Sequence, residues 1–161
     1  MFDLQHKVTP FLWYETQAEQ AVELYLGLLG GRVLQHQRWG KGTPYPEGST
    51  MAVTFELSGQ NLIAFNGGPH FKFNEAASLF VACDDQAEVD KLWNGLTAKG
   101  GQESQCGWLK DPFGLSWQIV PRAFLKMMSD PDGKRVMRVT QAMLQMRKFD
   151  VAALERAYDG V

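Results

Sequence analysis

The chain has no apolar run approaching the ~18 residues that a membrane-spanning helix needs, so no membrane partner is expected. It also lacks a basic block: 16 Lys+Arg stand against 18 Asp+Glu, a formal net charge of −2. Binding a run of phosphates takes a basic stripe that displaces counterions, so neither nucleic acid nor an anionic surface is an expected partner. Cysteine is scarce. Cys83 and Cys106 are the only two, with no CxxC and no neighbouring His, which predicts reduced thiols rather than a disulfide frame or zinc site. The opening MFDLQHKVTP has no basic stretch leading into an apolar core, so no signal peptide is expected. These absences together predict a soluble, cytoplasmic protein.

What is present is a globular composition, 45% apolar and 21% charged over 161 residues. A chain of that length can bury a core without staples. Its aromatic load is high, with 5 Trp, 10 Phe and 4 Tyr, and its 16 Gly imply many turns.

The pattern along the chain repeats. Residues 8–14 read as a mostly buried strand. Thr16 and Glu19 have capping-box spacing, opening a helix with Ala18, Ala21, Val22, Tyr25 and Leu29 on one face. Gly30-Gly31 supplies its exit. Strands follow over residues 32–39, 50–57 and 61–65, separated by the Gly/Pro-rich loop 40–49 and the turn Ser58-Gly59-Gln60. The same order returns in a strand over 78–83, a capping box at Asp85 and Glu88, and a helix carrying Val89, Leu92, Trp93 and Leu96. Gly100-Gly101 ends that helix, and strands over 105–109 and 115–120 flank the turn Asp111-Pro112-Phe113-Gly114. Gln17-Ala18-Glu19 and Gln86-Ala87-Glu88 are identical and occupy the same place in each copy. The expected class is therefore α+β, with a domain over 1–121 built from two βαβββ modules, about 1–73 and 74–121. A helical tail over 122–161 follows, with helices at 135–146 and 151–158 and Asp150 as a cap. It holds five of the seven methionines, which predicts packing on its own body or a sister subunit, or else a peptide-binding surface.

Residues 8–121 resemble the vicinal oxygen chelate superfamily, which includes glyoxalase I, extradiol dioxygenases and bleomycin-resistance proteins. The paired modules carry the resemblance, as does Asp111-Pro112-Phe113-Gly114-Leu115-Ser116-Trp117-Gln118-Ile119-Val120-Pro121. Four further segments are similar to its PhnB-like branch, often labelled 3-demethylubiquinone 3-methyltransferase-like: Thr9-Pro10-Phe11-Leu12-Trp13, Asn66-Gly67-Gly68-Pro69, Cys106-Gly107-Trp108-Leu109-Lys110-Asp111 and Leu154-Glu155-Arg156-Ala157-Tyr158. The resemblance implies glyoxalase-like half-barrels around a cavity and a homodimer. In the superfamily a divalent metal is commonly held by His, Glu or Gln on the first and last strand of each module. Those positions carry over onto Thr9, Ser78, Asn66 and Gln118. A divalent cation needs charged or imidazole donors to offset its dehydration, so no metal is expected; His6, His36 and His70 are scattered. No cofactor is expected either, because no strand runs through a glycine-rich loop into a helix. Gly40-Lys41-Gly42-Thr43 leads only to Pro44 and Pro46. With no GxSxG elbow, and with Cys106 lacking an evident base, no catalytic residue is assigned.

Strand alternation then selects the side chains that would line the cavity. Thr9, Phe11 and Trp13 come from the first strand, Ser78 and Phe80 from the fifth, and Ser116 and Gln118 from the last. Phe55 or its neighbours come from the third strand, and Asn66 and Trp108 stand near the rim. Leu12, Tyr14, Trp117 and Ile119 face the helices. Aromatic walls with a few neutral polar groups suit a small, planar or partly apolar ligand. The expected function is a metal-free, PhnB-like small-molecule-binding protein. One alternative is an enzyme of the superfamily, lyase, dioxygenase or transferase-like, using a pocket acid/base or an unrecognised metal site. Another is that the aromatics only fill the cups as core.

Overall fold

In a computed structural model, which describes residues 7–161, the first apolar run forms a short strand, β1 (Phe11–Tyr14). Alternation makes it two-faced: Leu12 and Tyr14 are buried, while Phe11 is 49% exposed. Helix α1 (Ala18–Leu29) follows, burying Ala18, Ala21, Val22 and Tyr25 on one stripe. Gly30 closes it at φ +73°, donating its N–H to the Leu26 carbonyl at 2.9 Å. Gly31 is required next, since at φ +127° a Cβ would overlap the Glu56 carbonyl oxygen. Strands β2 (Gly31–Arg38), β3 (Thr50–Leu57) and β4 (Gln60–Asn66) form a meander. Its last hairpin turns tightly through Ser58 and Gly59, both at positive φ. Strand β4 lies parallel to β1, giving the order β1-β4-β3-β2.

The second unit, Asn74–Val161, repeats this plan. Strand β5 (Ser78–Cys83) leads into helix α2 (Gln86–Thr97), which buries Val89, Leu92, Trp93 and Leu96. A 3-10 turn over Ala98–Gly100 precedes β6 (Gln102–Glu103), β7 (Trp108–Lys110) and β8 (Ser116–Pro121). The order is β5-β8-β7-β6, again with first and last strands parallel. The fold is thus α+β, two βαβββ modules followed by C-terminal helices.

Those helices are α3 (Arg122–Met128), α4 (Gly133–Met143) and α5 (Val151–Asp159). They gather around a small core of Val120, Val139, Phe149 and Leu154, against which Met127, Met128, Met143 and Met146 pack. Most of the tail's methionines therefore fill the second unit's own interior, and Met137 alone among them is largely exposed, at 62%. Asp150 caps α5 as expected, accepting from Ala153 N–H at 2.9 Å. No helix among the described residues is long and apolar enough to cross a membrane.

Several local expectations are corrected. Thr16 and Glu19 do not form a capping box. The N-cap is Gln17 without a side-chain bond, and the Ala18 N–H donates instead to Asn66 Oδ1 on β4 at 2.9 Å. A tertiary acceptor has displaced the local one, and Glu19 turns to His36 at 3.1 Å. The second box does form in part: Asp85 accepts from Glu88 N–H at 2.9 Å, while Glu88 reaches back one residue further, to Asp84 N–H. Residues 105–107 are a turn rather than a strand, because Cys106 and Gly107 both have positive φ. Helix α3 is not evident in the sequence pattern, since it buries no residue fully.

Before β8 the chain is tied by one side chain. Asp111 is 2% exposed. Its Oδ1 accepts from the N–H groups of Phe113 and Leu115, at 2.9 and 3.0 Å, and its Oδ2 accepts from Trp117 Nε1 at 2.9 Å. Three donors on one carboxylate make its burial tolerable and orient Trp117 under α2. Asp111→Ala would strand these donors and is expected to cost about 3 kcal/mol, read as a lower urea midpoint. An unchanged midpoint would contradict this role.

Candidate functional site

Because residues paired across a sheet share a face, strand register shows what each sheet presents away from its crossover helix. In the first unit one row runs Trp13, Phe65, Ala52, Gln37 and the next Phe11, Ile63, Thr54, Gln35. A third holds Asn61, Glu56 and Arg32. This face, open in that no helix covers it, is aromatic at the β1/β4 side and polar toward β2; Phe11 is exposed on it, while Ala52, Thr54, Asn61 and Ile63 at its middle are buried. Phe55 is not on it: it pairs with Leu62, is fully buried, and lies on the helix side. A bulge at Leu34 of β2 shifts the parity, so Val33 and His36 also fall on the helix side.

The aromatic end is a connected cluster. Trp13 meets Phe65 edge-on at 5.0 Å and Phe71 at 5.0 Å, and Phe65 meets Phe11 at 5.3 Å. Trp39 stacks on Tyr45 at 4.3 Å and reaches Phe65 at 5.9 Å. Trp13 Nε1 donates to the Gly68 carbonyl, and Tyr45 donates its O–H to the Gly67 carbonyl, each at 2.9 Å. Gly67 has to be glycine because a Cβ would collide with the indole. Trp13 is thus anchored by its nitrogen and presents its ring. Thr9 is half-buried just ahead of β1.

In the second unit, Ser78, Ser116, Lys110 and Gln102 make one row, and Phe80, Gln118 and Trp108 the next. Gln118 Nε2 donates to Ser78 Oγ at 2.9 Å. Ser116 is fully buried, and Trp108, Lys110 and Ser116 help line a cavity of about 290 Å³. Lys110 Nζ sits 2.6 Å from Glu75, whose carboxyl is held below the usual range chiefly by that bond. Val120, next on this face, is taken into the core of the tail.

Of the sequence-predicted residues, Phe11 and Trp13 come together on one open face. Ser78, Phe80, Trp108, Ser116 and Gln118 come together on the other. Asn66 does not join them. It shares the face of Tyr14, and besides capping α1 it donates through Nδ2 to the Thr50 carbonyl at 3.1 Å. Trp39, Tyr45, Phe65, Phe71 and Lys110 were not singled out by sequence reasoning. Only the alternation of β4 around Phe65, and the spacing of aromatics through residues 39–45, could have signalled them. A second groove, about 340 Å³, lies on the helix side of the first sheet among Val22, Leu26, Val33, His36 and Val53. It contains none of the predicted residues.

The donor set does not fit the divalent metal of the superfamily. Thr9, Ser78 and Gln118 offer neutral oxygens or an amide, and Asn66 faces the other side and bonds backbone. His36 pairs with Thr50 Oγ1 at 2.8 Å on the helix side, and His70 is exposed; His6 lies outside the described residues. Among the described residues no three His, Cys, Asp or Glu converge. Nor does the chain fit an adenosyl-type cofactor in a glycine-rich strand-to-helix turn. The two such turns read Glu15-Thr16-Gln17 and Asp84-Asp85, without glycine and with carboxylates where phosphate or carboxylate groups would sit. The loop at Gly40 opens no helix.

Two duplicated sheets, each closed by a parallel first–last pair and open on one face, define the vicinal oxygen chelate class. A family model described as 3-demethylubiquinone-9 3-methyltransferase matches residues 6–120, and the chain belongs to that family, the PhnB-like branch of the superfamily. A PhnB protein from Bacillus cereus, carrying the same methyltransferase name, is 29% identical with a TM-score of 0.66, covering 72% of this chain and 99% of its own. Protein PA1353 from Pseudomonas aeruginosa shares the fold at 21% identity and a TM-score of 0.60, covering 73% and 98%. No curated protein matches the chain.

Neither thiol has the setting of a nucleophile. Cys106 is half-buried, and its Sγ lies 3.7 Å from the Met143 carbonyl, to which it donates. Cys83 is fully buried, and burial, aided by Glu88, pushes its pKa up to about 12. At pH 8 it therefore stays a thiol, and iodoacetamide is expected to leave Cys83 unmodified in the native protein and label it after denaturation. Rapid native labelling at Cys83, seen by peptide mass spectrometry, would contradict this.

Proposed function

We propose that the chain binds a small, partly aromatic molecule on the open faces of its sheets, without a metal ion. The observation that carries this reading is where the unsatisfied polar groups lie. Among the described residues, the buried side-chain atoms without a hydrogen-bond partner are Gln37 Oε1, Thr54 Oγ1, Asn61 Nδ2 and Ser116 Oγ. All four residues stand in open-face rows, beside Trp13, Phe65 and Phe11 in one unit and Trp108 in the other. A buried polar atom left unpaired costs roughly 1–3 kcal/mol, and a ligand with its own donors and acceptors removes that cost. Aromatic rings supply the remaining contact area with little entropy loss.

The name of the family describes methyl transfer, but the acidic, glycine-free strand-to-helix turns do not support that reading for this chain. The proposal includes a homodimer, supported by the exposed Met137 and Leu144, one heptad apart at 62% and 57% exposure.

Thr54→Val tests the binding surface because it exchanges the unpaired hydroxyl for a methyl of the same shape. Thermal stability is expected to hold or rise by up to ~1 kcal/mol. Affinity for the best binder in a panel of phenols and indoles, measured by calorimetry after EDTA treatment, is expected to fall about tenfold. Unchanged affinity in the variant, or no binding across the panel by the parent protein, would contradict the reading.

A further inference from the structure

The two open faces differ in charge. In the second sheet the row Ser78, Ser116, Lys110, Gln102 crosses all four strands, with neighbours at roughly 5 Å. Each member carries a hydrogen-bond donor: two hydroxyls, an ammonium and an amide. Ser78 accepts from Gln118, so its own proton is left to donate. Ser116 Oγ is buried and unpartnered, and it lines the same cavity as Lys110, Gln102 and Trp108. The adjoining row is apolar at both ends, with Phe80 51% exposed and Trp108 half-buried. On the first sheet the one basic residue in these rows, Arg32, is paired with Glu56 of its own row at 3.5 Å.

We propose that this face is a carboxylate site: it takes a small acid with a planar or aromatic body, the carboxylate on Ser116, Lys110 and Gln102 and the ring against Trp108. This rests on the reading that the open faces bind small molecules, and adds the charge of the ligand. The two acids at the cavity do not argue for a cation. Glu103 accepts from Trp93 Nε1 at 2.9 Å and lies 3.6 Å from Arg147, while Glu75 is held by Lys110. Glu75 stands on the turn before β5 with 65% of its side chain exposed, able to swing into solvent. It is a built-in competitor, a carboxylate of the chain itself resting on the ammonium that the ligand's carboxylate would take. Exchange of one carboxylate for another keeps Lys110 paired throughout, so no charge is stranded.

Calorimetric titration with phenylacetate and with phenylacetamide, its uncharged analogue of the same shape, tests this. The acid is expected to bind at least tenfold more tightly than the amide. Glu75→Gln is expected to tighten phenylacetate severalfold by removing the competing charge, and Lys110→Met to bring acid and amide within twofold of each other. Equal binding of both by the parent protein would overturn the carboxylate class while leaving the binding face intact. Binding of neither would overturn the inference and its underlying reading for this face together. Unchanged affinity in Glu75→Gln would overturn the competitor role.

Discussion

The parallel pairing of first and last strands is the constraint from which the rest of each unit follows. A parallel neighbour cannot be reached by a tight hairpin, so the chain has to leave the sheet plane through a crossover. One 12-residue helix in each unit provides it, and one helix can cover only one face. The opposite face is left to side chains alone. That geometry decides which residues become core, such as Trp93 and Trp117, and which stand on the open side, such as Trp13 and Trp108.

Each unit secures that pairing with a buried polar side chain, and the two solutions differ. In the first, Asn66 at the end of β4 caps α1 and holds Thr50, stitching the last strand to the crossover helix. In the second, Asp111 organises the turn that feeds β8, and α2 keeps a local cap at Asp85. The duplication therefore preserves topology while the polar anchors and the open faces have separated. One face is an aromatic cluster bordering unpaired neutral groups; the other is a row of donors beside a lysine.

Much of this frame is legible in the sequence because it depends on local periodicity. The strands at Thr50–Leu57 and Ser78–Cys83 and the buried stripe of α2 follow directly from apolar spacing. Less accessible is whatever depends on a distant partner. Thr16 has the chemistry of a cap, yet Asn66, 48 positions beyond the Ala18 whose N–H donates to it, outcompetes it. Phe55 is one of several candidates along its strand and Asn66 is carried over from the superfamily's ligand positions; only the register against β4 and β1 turns both to the helix side. Trp39 and Tyr45 find each other across a loop whose Gly and Pro residues announce a break but not its shape. Lys110 looked like part of a motif, and only the pairing with Ser116 and Gln102 gives it a role on the face.

The central claim is that the open faces bind small molecules without a metal. Residue-resolved NMR of the chelator-treated protein, titrated with small aromatic acids and phenols, tests it most directly. The account predicts shift changes concentrated at Gln37, Thr54, Asn61, Ser116 and Gln118, with the helix-side residues Val22, Leu26 and Val53 unmoved. Changes centred on those helix-side residues, or changes that require an added divalent cation, would contradict it.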